Sequence, residues 1–113
     1  MTATSDPLSA EDAKLVTLAR AARARTSAHE GAAVRDDTGR TYMAGSVALP
    51  SLRLSALQAA VAAAVSSGAD RLEAAVVCST ATAPAGADLA LLGDLGGAAT
   101  LLVAPDGTVT WAR

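Results

Sequence analysis

Residue types that commonly bind metals or carry catalysis are scarce in this chain. Of its 113 residues, one is a histidine, His29, and one is a cysteine, Cys78. A single cysteine excludes an intramolecular disulfide and any zinc site that one chain would build from several cysteines. His29 has no partner at metal-ligand spacing, so we interpret it as a structural loop residue and not as a remnant ligand or base. We interpret Cys78, which ends an apolar run, as a packing residue and not as a nucleophile.

Two other groups of residues have both a functional and a structural interpretation. Asp36 and Asp37 could bind a metal, but acidic residues close to a glycine are typical of a turn, and we favour the turn. Arg20, Arg23 and Arg25 could bind phosphate or RNA, or they could form the solvated edge of a helix. The net charge of −2 argues against general nucleic-acid binding. We therefore expect a solvated edge and no nucleic-acid partner.

The composition predicts one globular domain with a core of small side chains. Hydrophobic residues make up 51% of the chain, but there is no phenylalanine and only one tryptophan and one tyrosine. We expect Trp111 and Tyr42 to lie in the core or on a sheet face, although they could also form a recognition surface. Small side chains each bury little area, which leaves a monomer marginal and favours a homo-oligomer. The single domain is expected to span residues 1–113.

No part of the pattern indicates export or membrane insertion. Residues 1–12 lack the basic and apolar regions that make up a signal peptide. The longest apolar stretch, residues 59–65, is too short to span a bilayer. The expectation from these patterns is a cytoplasmic protein without membrane association.

The local patterns predict helices and strands that alternate along the chain. A capping-box pattern at Ser9 precedes apolar residues at helical spacing, and Pro105-Asp-Gly107 is typical of a hairpin turn. An α/β fold with a mixed five-stranded sheet flanked by helices would bury these apolar faces, and parallel strands in it would be joined by right-handed crossovers. In chain order, the predicted elements are a helix at 10–25, strands at 31–35 and 40–44, a helix at 54–65, a strand at 72–78, a helix at 87–95, and strands at 100–104 and 108–112.

Three segments, in this order, resemble the zinc-dependent cytidine deaminases that act on free nucleosides. Residues 31–45 are similar to the family's V-G-A-A-L / D-G / Y-x-G-x-N hairpin. Residues 55–68 are similar to its helix that begins C-A-E-R-x-A and ends near A-V-S-x-G. Residues 84–92 have the frame of its P-C-G-A-C-R-Q-V-L segment. The resemblance spans about residues 12–111 and implies the family's three-layer α/β fold.

The resemblance also implies where the family's zinc ligands and proton-transferring glutamate would lie. The first ligand position is Ser55, the glutamate position is Leu57, and the paired cysteine positions are Ala85 and Asp88. A zinc deaminase needs three protein ligands, whereas a serine hydroxyl is a poor ligand, alanine is none, and a single carboxylate makes no site. We therefore predict a catalytically inactive relative, without zinc or another cofactor, that has a structural or partner-binding role.

The substrate positions implied by the resemblance are changed as well. The segment that carries the family's base-stacking aromatic corresponds to residues 28–32, which contain no aromatic side chain apart from the imidazole of His29. The asparagine and glutamate that hold the ribose correspond to about Val47 and Leu49. Apolar residues at these positions predict a pocket that is filled by side chains.

Two alternatives stay open beside this prediction. The Gly31 and Gly45 backbone and the helix start after Pro84 remain, so the chain could bind a nucleoside or nucleotide without turnover. It could also be an active cytidine deaminase of pyrimidine salvage with an unusual site. The family forms oligomers through its helices and loops, which implies a dimer or tetramer here, and an unidentified protein partner is possible.

Overall fold

The computed structural model describes residues 8–113, which form three helices and seven strands. No helix among these residues is both long and apolar enough to cross a bilayer. In chain order the elements are α1 (Ala10–Thr26), β1 (Gly31–Asp36), β2 (Thr41–Gly45), β3 (Val47–Leu49), β4 (Leu52–Leu54), α2 (Ala56–Ser66), β5 (Leu72–Cys78), α3 (Gly86–Asp94), β6 (Ala99–Val103) and β7 (Val109–Ala112).

Five of the strands form one mixed sheet in the order β2-β1-β5-β6-β7. Strand β1 is antiparallel to both of its neighbours, β5 and β6 are parallel, and β7 returns antiparallel to β6. Strands β2 and β5 therefore point the same way but are separated by β1, so the connection through α2 passes over β1. The predicted α/β fold with a mixed five-stranded sheet is confirmed.

Helices cover both faces of this sheet. Side chains alternate along β1, so Ala33 packs with α1 whereas Ala32 and Val34 pack with α2 and α3. On β5, Val76 and Val77 divide between the two faces in the same manner. The three layers are α1, the sheet, and the α2–α3 pair, as the resemblance implied.

Helix α1 lies directly against the backbone of the sheet because two positions carry no side chain. A Cβ atom at Gly31 would lie 2.1 Å from the backbone oxygen of Ala19, and one at Gly45 would lie 2.2 Å from Oγ1 of Thr26. Real Cβ atoms do not approach other atoms so closely. These two glycines therefore set how near α1 comes to β1 and β2.

The structure differs from the predicted elements between β2 and α2. Leu54 was expected to begin the helix, but it pairs with Val47 in a two-stranded antiparallel hairpin formed by β3 and β4. Pro50 and Ser51 form the turn of this hairpin, and α2 begins only at Ala56. Strands of three residues are too short to show an alternating pattern, so the sequence carried no periodic signal for them.

Candidate functional site

Ser55 is the N-cap residue of α2, and its hydroxyl group makes hydrogen bonds to two residues. Ser55 Oγ accepts a hydrogen bond from the backbone N–H of Gln58 at 3.0 Å, while the Ser55 backbone N–H donates to Oε1 of Gln58 at 2.8 Å. This reciprocal pair is a capping box. The hydroxyl also donates to Oδ1 of Asp88 at 2.7 Å. The S-x-x-Q spacing of residues 55–58 is the sequence signal that would have identified Gln58.

Asp88 lies in the first turn of α3 and is 4% exposed. The N-cap residue of this helix, Ala85, makes no side-chain hydrogen bond to the helix start. The partial positive charge of a helix N-terminus favours a carboxylate in the first turn. The Asp88 carboxylate thus accepts a hydrogen bond from the hydroxyl that caps the neighbouring helix, α2, and its charge is favoured by its position at the start of α3.

The two remaining positions of the implied site lie apart from this polar contact. Leu57 is 1% exposed and belongs to the apolar core between α2 and the sheet. Ala85 is exposed at the surface. The structure therefore brings Ser55 and Asp88 together, places Leu57 in the core, and leaves Ala85 at a helix end.

Of these four residues, only Ser55 and Asp88 have side-chain oxygen atoms, and none has a side-chain sulfur or nitrogen. Ser55 Oγ and Asp88 Oδ1 are already hydrogen-bonded to each other. Within residues 8–113, no three His, Cys, Asp or Glu side chains lie close enough together to hold a metal ion. A zinc site of the kind that binds catalytic water needs three protein ligands, so this donor set does not fit one.

The single histidine and the single cysteine both lie in surroundings that give them a structural role. His29 is exposed in the loop before β1, where its backbone oxygen accepts a hydrogen bond from Nε of Arg23 at 3.1 Å. Cys78 is 1% exposed, and its thiol lies 3.7 Å from the backbone oxygen of Ala104. Burial raises the pKa of the Cys78 thiol. Cys78 is a buried packing residue, as expected.

The acidic pair in the β1–β2 turn is a turn former, as predicted. Oδ1 of Asp36 accepts hydrogen bonds from the backbone N–H of Thr38 at 3.0 Å, from its hydroxyl at 2.7 Å, and from the backbone N–H of Arg40 at 2.9 Å. The hydrogen bond from the Thr38 side chain is the main cause that lowers the pKa of Asp36. Asp37 is exposed beside it.

The arginines of α1 are only partly a solvated edge. Arg25 is exposed, but Nε of Arg20 donates to the backbone oxygen of Pro105 at 2.9 Å, and Arg23 donates to the loop before β1. Two of the three arginines therefore attach α1 to neighbouring loops. Tyr42 and Trp111 are half-buried and pack against the core on the α2–α3 side, as expected.

The expectation that apolar residues fill a former substrate pocket is wrong for Leu49. This side chain is 55% exposed, and Val47 is half-buried. Both residues belong to the β3–β4 hairpin, outside the main sheet, where Leu49 pairs with Leu52. Beside this region an open groove of about 660 Å³ separates α2 from α3. Its lining is mainly apolar and includes Leu54, Val61, Val65, Ala87 and Leu91.

The fold and the sequence together identify the family. The three-layer arrangement around a mixed five-stranded sheet defines the class of α/β proteins to which the chain belongs. The sequence profile of the family described as "Cytidine deaminase-like" matches residues 8–107. This chain therefore belongs to the cytidine deaminase-like family. A search of curated proteins by sequence found no match.

Several solved structures are similar to most of the chain. A cytidine deaminase from Burkholderia pseudomallei has a TM-score of 0.76 and 23% identity, over 89% of this chain and 90% of that one. A cytidine deaminase from Mycobacterium leprae has a TM-score of 0.66 and 24% identity, over 92% and 94% of the two chains. A mutant cytidine deaminase from Mycobacterium tuberculosis has a TM-score of 0.64 and 30% identity, over 80% and 82%.

Proposed function

We propose that this protein is a catalytically inactive member of the cytidine deaminase-like family with a structural or partner-binding role. The observation that carries the proposal is the hydrogen bond between Ser55 and Asp88, at two positions where the resemblance places zinc ligands. The third ligand position, Ala85, has no donor atom. Without three ligands there is no metal to lower the pKa of a bound water and so create the attacking hydroxide.

The proton-transfer step lacks its residue as well. Deamination by this chemistry uses a glutamate that is not a metal ligand as the general acid and base. The corresponding residue is Leu57, which is buried in the core at 1% exposure and carries no titratable group. Losing a general acid/base alone typically costs about 10²- to 10⁴-fold in rate. Losing the metal in addition removes the nucleophile.

Metal content and turnover of the purified protein test this proposal together. We expect elemental analysis to find zinc well below one ion per chain, and an absorbance assay to find no loss of cytidine above the rate in buffer. The cytidine deaminase from Mycobacterium tuberculosis, assayed in parallel, serves as the positive control for both measurements. Stoichiometric zinc together with turnover would show that the proposal is wrong.

A gain-of-binding variant tests whether the four positions are assigned correctly. The triple variant Ser55→Cys, Ala85→Cys and Asp88→Cys offers three thiolates at the positions where the resemblance places ligands, and three ligands are enough for a zinc ion that keeps one open position. We expect this variant to take up one zinc per chain and to stay inactive, because Leu57 is unchanged. A folded variant that binds no zinc would contradict the assignment.

Self-association is part of the proposed structural role. Leu49, Leu52 and Val65 are 55%, 48% and 48% exposed, and the core of the protein is built largely from small side chains. Burial of such residues between copies would stabilise a dimer or tetramer. Light scattering at micromolar concentration should give the mass of two or four chains. The mass of a single chain would count against self-association. A cytoplasmic location belongs to the same proposal, as does an unidentified protein partner.

A second candidate function is nucleoside or nucleotide binding without turnover. The groove of about 660 Å³ between α2 and α3 favours it, because small-molecule sites commonly have volumes of roughly 300–1,000 Å³ and the amide of Gln58 lines this one. A thermal-shift panel of nucleosides and nucleotides distinguishes the two functions, since a ligand that binds only the native state raises the melting temperature. No shift with any of them would exclude the second candidate.

A further inference from the structure

Helices α2 and α3 share an apolar cluster on the sheet, and an open groove lies between their outer sides. The groove between them is open and is lined by Val61, Val65 and Leu91, so their apolar sides do not close on each other there. At the N-terminal ends, Ser55 Oγ and Asp88 Oδ1 are 2.7 Å apart. These two residues are 33 positions apart in the chain and are brought together only by the fold.

This contact has the properties of a strong hydrogen bond. A hydroxyl that donates to a carboxylate forms a charge-assisted bond, which is shorter and stronger than a bond between neutral groups. Asp88 is 4% exposed, so its carboxylate has little access to water that could replace the serine. Loss of the donor would leave a buried carboxylate short of a partner, which carries the full cost of its desolvation.

We infer that the Ser55–Asp88 hydrogen bond replaces a metal ion as the connection that fixes the start of α3 against the start of α2. The inference rests on the proposed function, because it takes these positions as former ligand positions. A metal with ligands on both helices would connect them through its coordination bonds. In this chain the connection is made by two side chains directly, so the arrangement of α2 and α3 requires no metal.

Local stability is the property that this connection controls. Helix α3 is only nine residues long and its N-cap residue, Ala85, makes no side-chain hydrogen bond. Isolated helices of this length are marginal in water, so the contacts of α3 with the rest of the fold determine how often it opens. Substitution of Asp88 should therefore release α3 before it affects α1.

Native-state hydrogen exchange of Asp88→Ala, in buffer treated with a chelator, tests this connection. We expect amide exchange within residues 86–94 to become roughly ten- to a hundredfold faster, while exchange in α1 is unchanged. Asp94→Ala, which removes an exposed carboxylate from the other end of α3, is the matched control and should leave exchange in α3 unaltered. Equal effects of the two substitutions, or wild-type protein that exchanges as an unfolded chain under these conditions, would overturn the inference.

The serine needs its own control because it also caps α2. Ser55→Ala removes both the cap and the connection, whereas Ser9→Ala removes a cap from α1 that has no bond to another helix. We expect Ser55→Ala to accelerate exchange in both α2 and α3, and Ser9→Ala to accelerate it only in α1. The double variant Ser55→Ala with Asp88→Ala should exchange in α3 no faster than Asp88→Ala alone. If the factors by which the two single substitutions accelerate exchange in α3 multiply in the double variant, the result would contradict a direct contact between the two side chains.

Asp88→Asn keeps the test decisive if the alanine variant fails to fold. The amide oxygen retains an acceptor of the same shape but not the negative charge, so exchange in α3 should accelerate clearly less than in the alanine variant, by roughly three- to tenfold. An asparagine variant that behaves like the alanine variant would overturn the inference. This test can fail independently of the test of the proposed function. Bound zinc together with cytidine turnover would contradict the proposed function. Amide exchange in α3 that does not change when Asp88 is substituted would contradict the connection between the helices.

Discussion

The two faces of the central sheet are built in different ways. Helix α1 rests on backbone, because Gly31 and Gly45 leave no room for side chains beneath it. The largest fully buried residues on this side are Leu15, Val76, Val103 and Cys78. The opposite side, under α2 and α3, holds Leu57, Leu72, Leu102 and Val34, and it also contains the hydrogen bond between the half-buried Ser55 and the buried Asp88.

The two sides also differ in where their polar groups and cavities lie. On the α1 side, a small cavity of about 60 Å³ and the ion pairs of Arg35 with Asp12 and Glu73 accompany the close contact of α1 with the sheet. The other side has a partly buried hydrogen bond between two helix starts, an open groove and the positions where the resemblance places zinc ligands. Substitutions in the two layers should therefore have different consequences.

The largest effect is expected from Gly31→Ala on the α1 face. Its Cβ would lie 2.1 Å from the backbone oxygen of Ala19, so the helix must move away from the sheet. Overpacking typically costs about 1–3 kcal/mol where side chains can yield, and here backbone must yield, so we expect a loss of more than about 3 kcal/mol. Urea denaturation measures it. Gly86→Ala, where a Cβ meets nothing within 4 Å, is the control and should be neutral or slightly stabilising.

A smaller loss is expected from Leu57→Ala on the α2 face. This residue is 1% exposed, and its truncation leaves a cavity that α2 cannot close completely. The free energy of unfolding should fall by about 2 to 3 kcal/mol, which thermal or urea denaturation detects. Leu52→Ala, at a position that is 48% exposed, should change it by less than about 1 kcal/mol. Equal losses at the two positions would show that Leu57 does not belong to a closely packed layer.

Cys78 should behave as an inert part of the α1 face. Cys78→Ala removes one buried sulfur atom, so we expect a loss of about 1 kcal/mol in the free energy of unfolding. Because burial raises the pKa of this thiol, less thiolate is present at a given pH than for an exposed cysteine. A thiol reagent should therefore react at neutral pH only after denaturant is added. Rapid labelling of the native protein would contradict this account of the layer.

The smallest effect is expected at Asp36, a buried aspartate outside both layers. Hydrogen bonds within the turn lower its pKa below the ordinary value of 3.8. The stability that it contributes is therefore fully present above pH 3.8 and is lost as the pH falls through the lower pKa of the folded state. Asp36→Asn should flatten the decline of the melting temperature in acid, whereas Asp37→Asn, at the exposed neighbour, should not. If the melting temperatures of the two variants declined identically as the pH falls, Asp36 would not contribute stability in this way.

Local sequence signals were sufficient for most of the elements. The helix behind Ser9, the Asp36 turn and the apolar strand that ends at Cys78 were all predicted, because each depends on neighbours within a few residues. The β3–β4 hairpin was missed, and Leu49 was placed in a pocket although it is exposed. Whether a short apolar segment lies inside or outside depends on the remaining chain, which local patterns do not describe.

The sequence by itself determined the types of the side chains at the implied metal and proton-transfer positions, and therefore which chemistry they lack. The tertiary structure decided what those side chains do instead. Ser55 and Asp88 are 33 residues apart, and only the packing of α2 and α3 on one sheet face brings a hydroxyl within 2.7 Å of a carboxylate. The approach of α1 to Gly31 has the same origin, since a contact between distant segments is set by how complete elements pack and not by the residues next to each one.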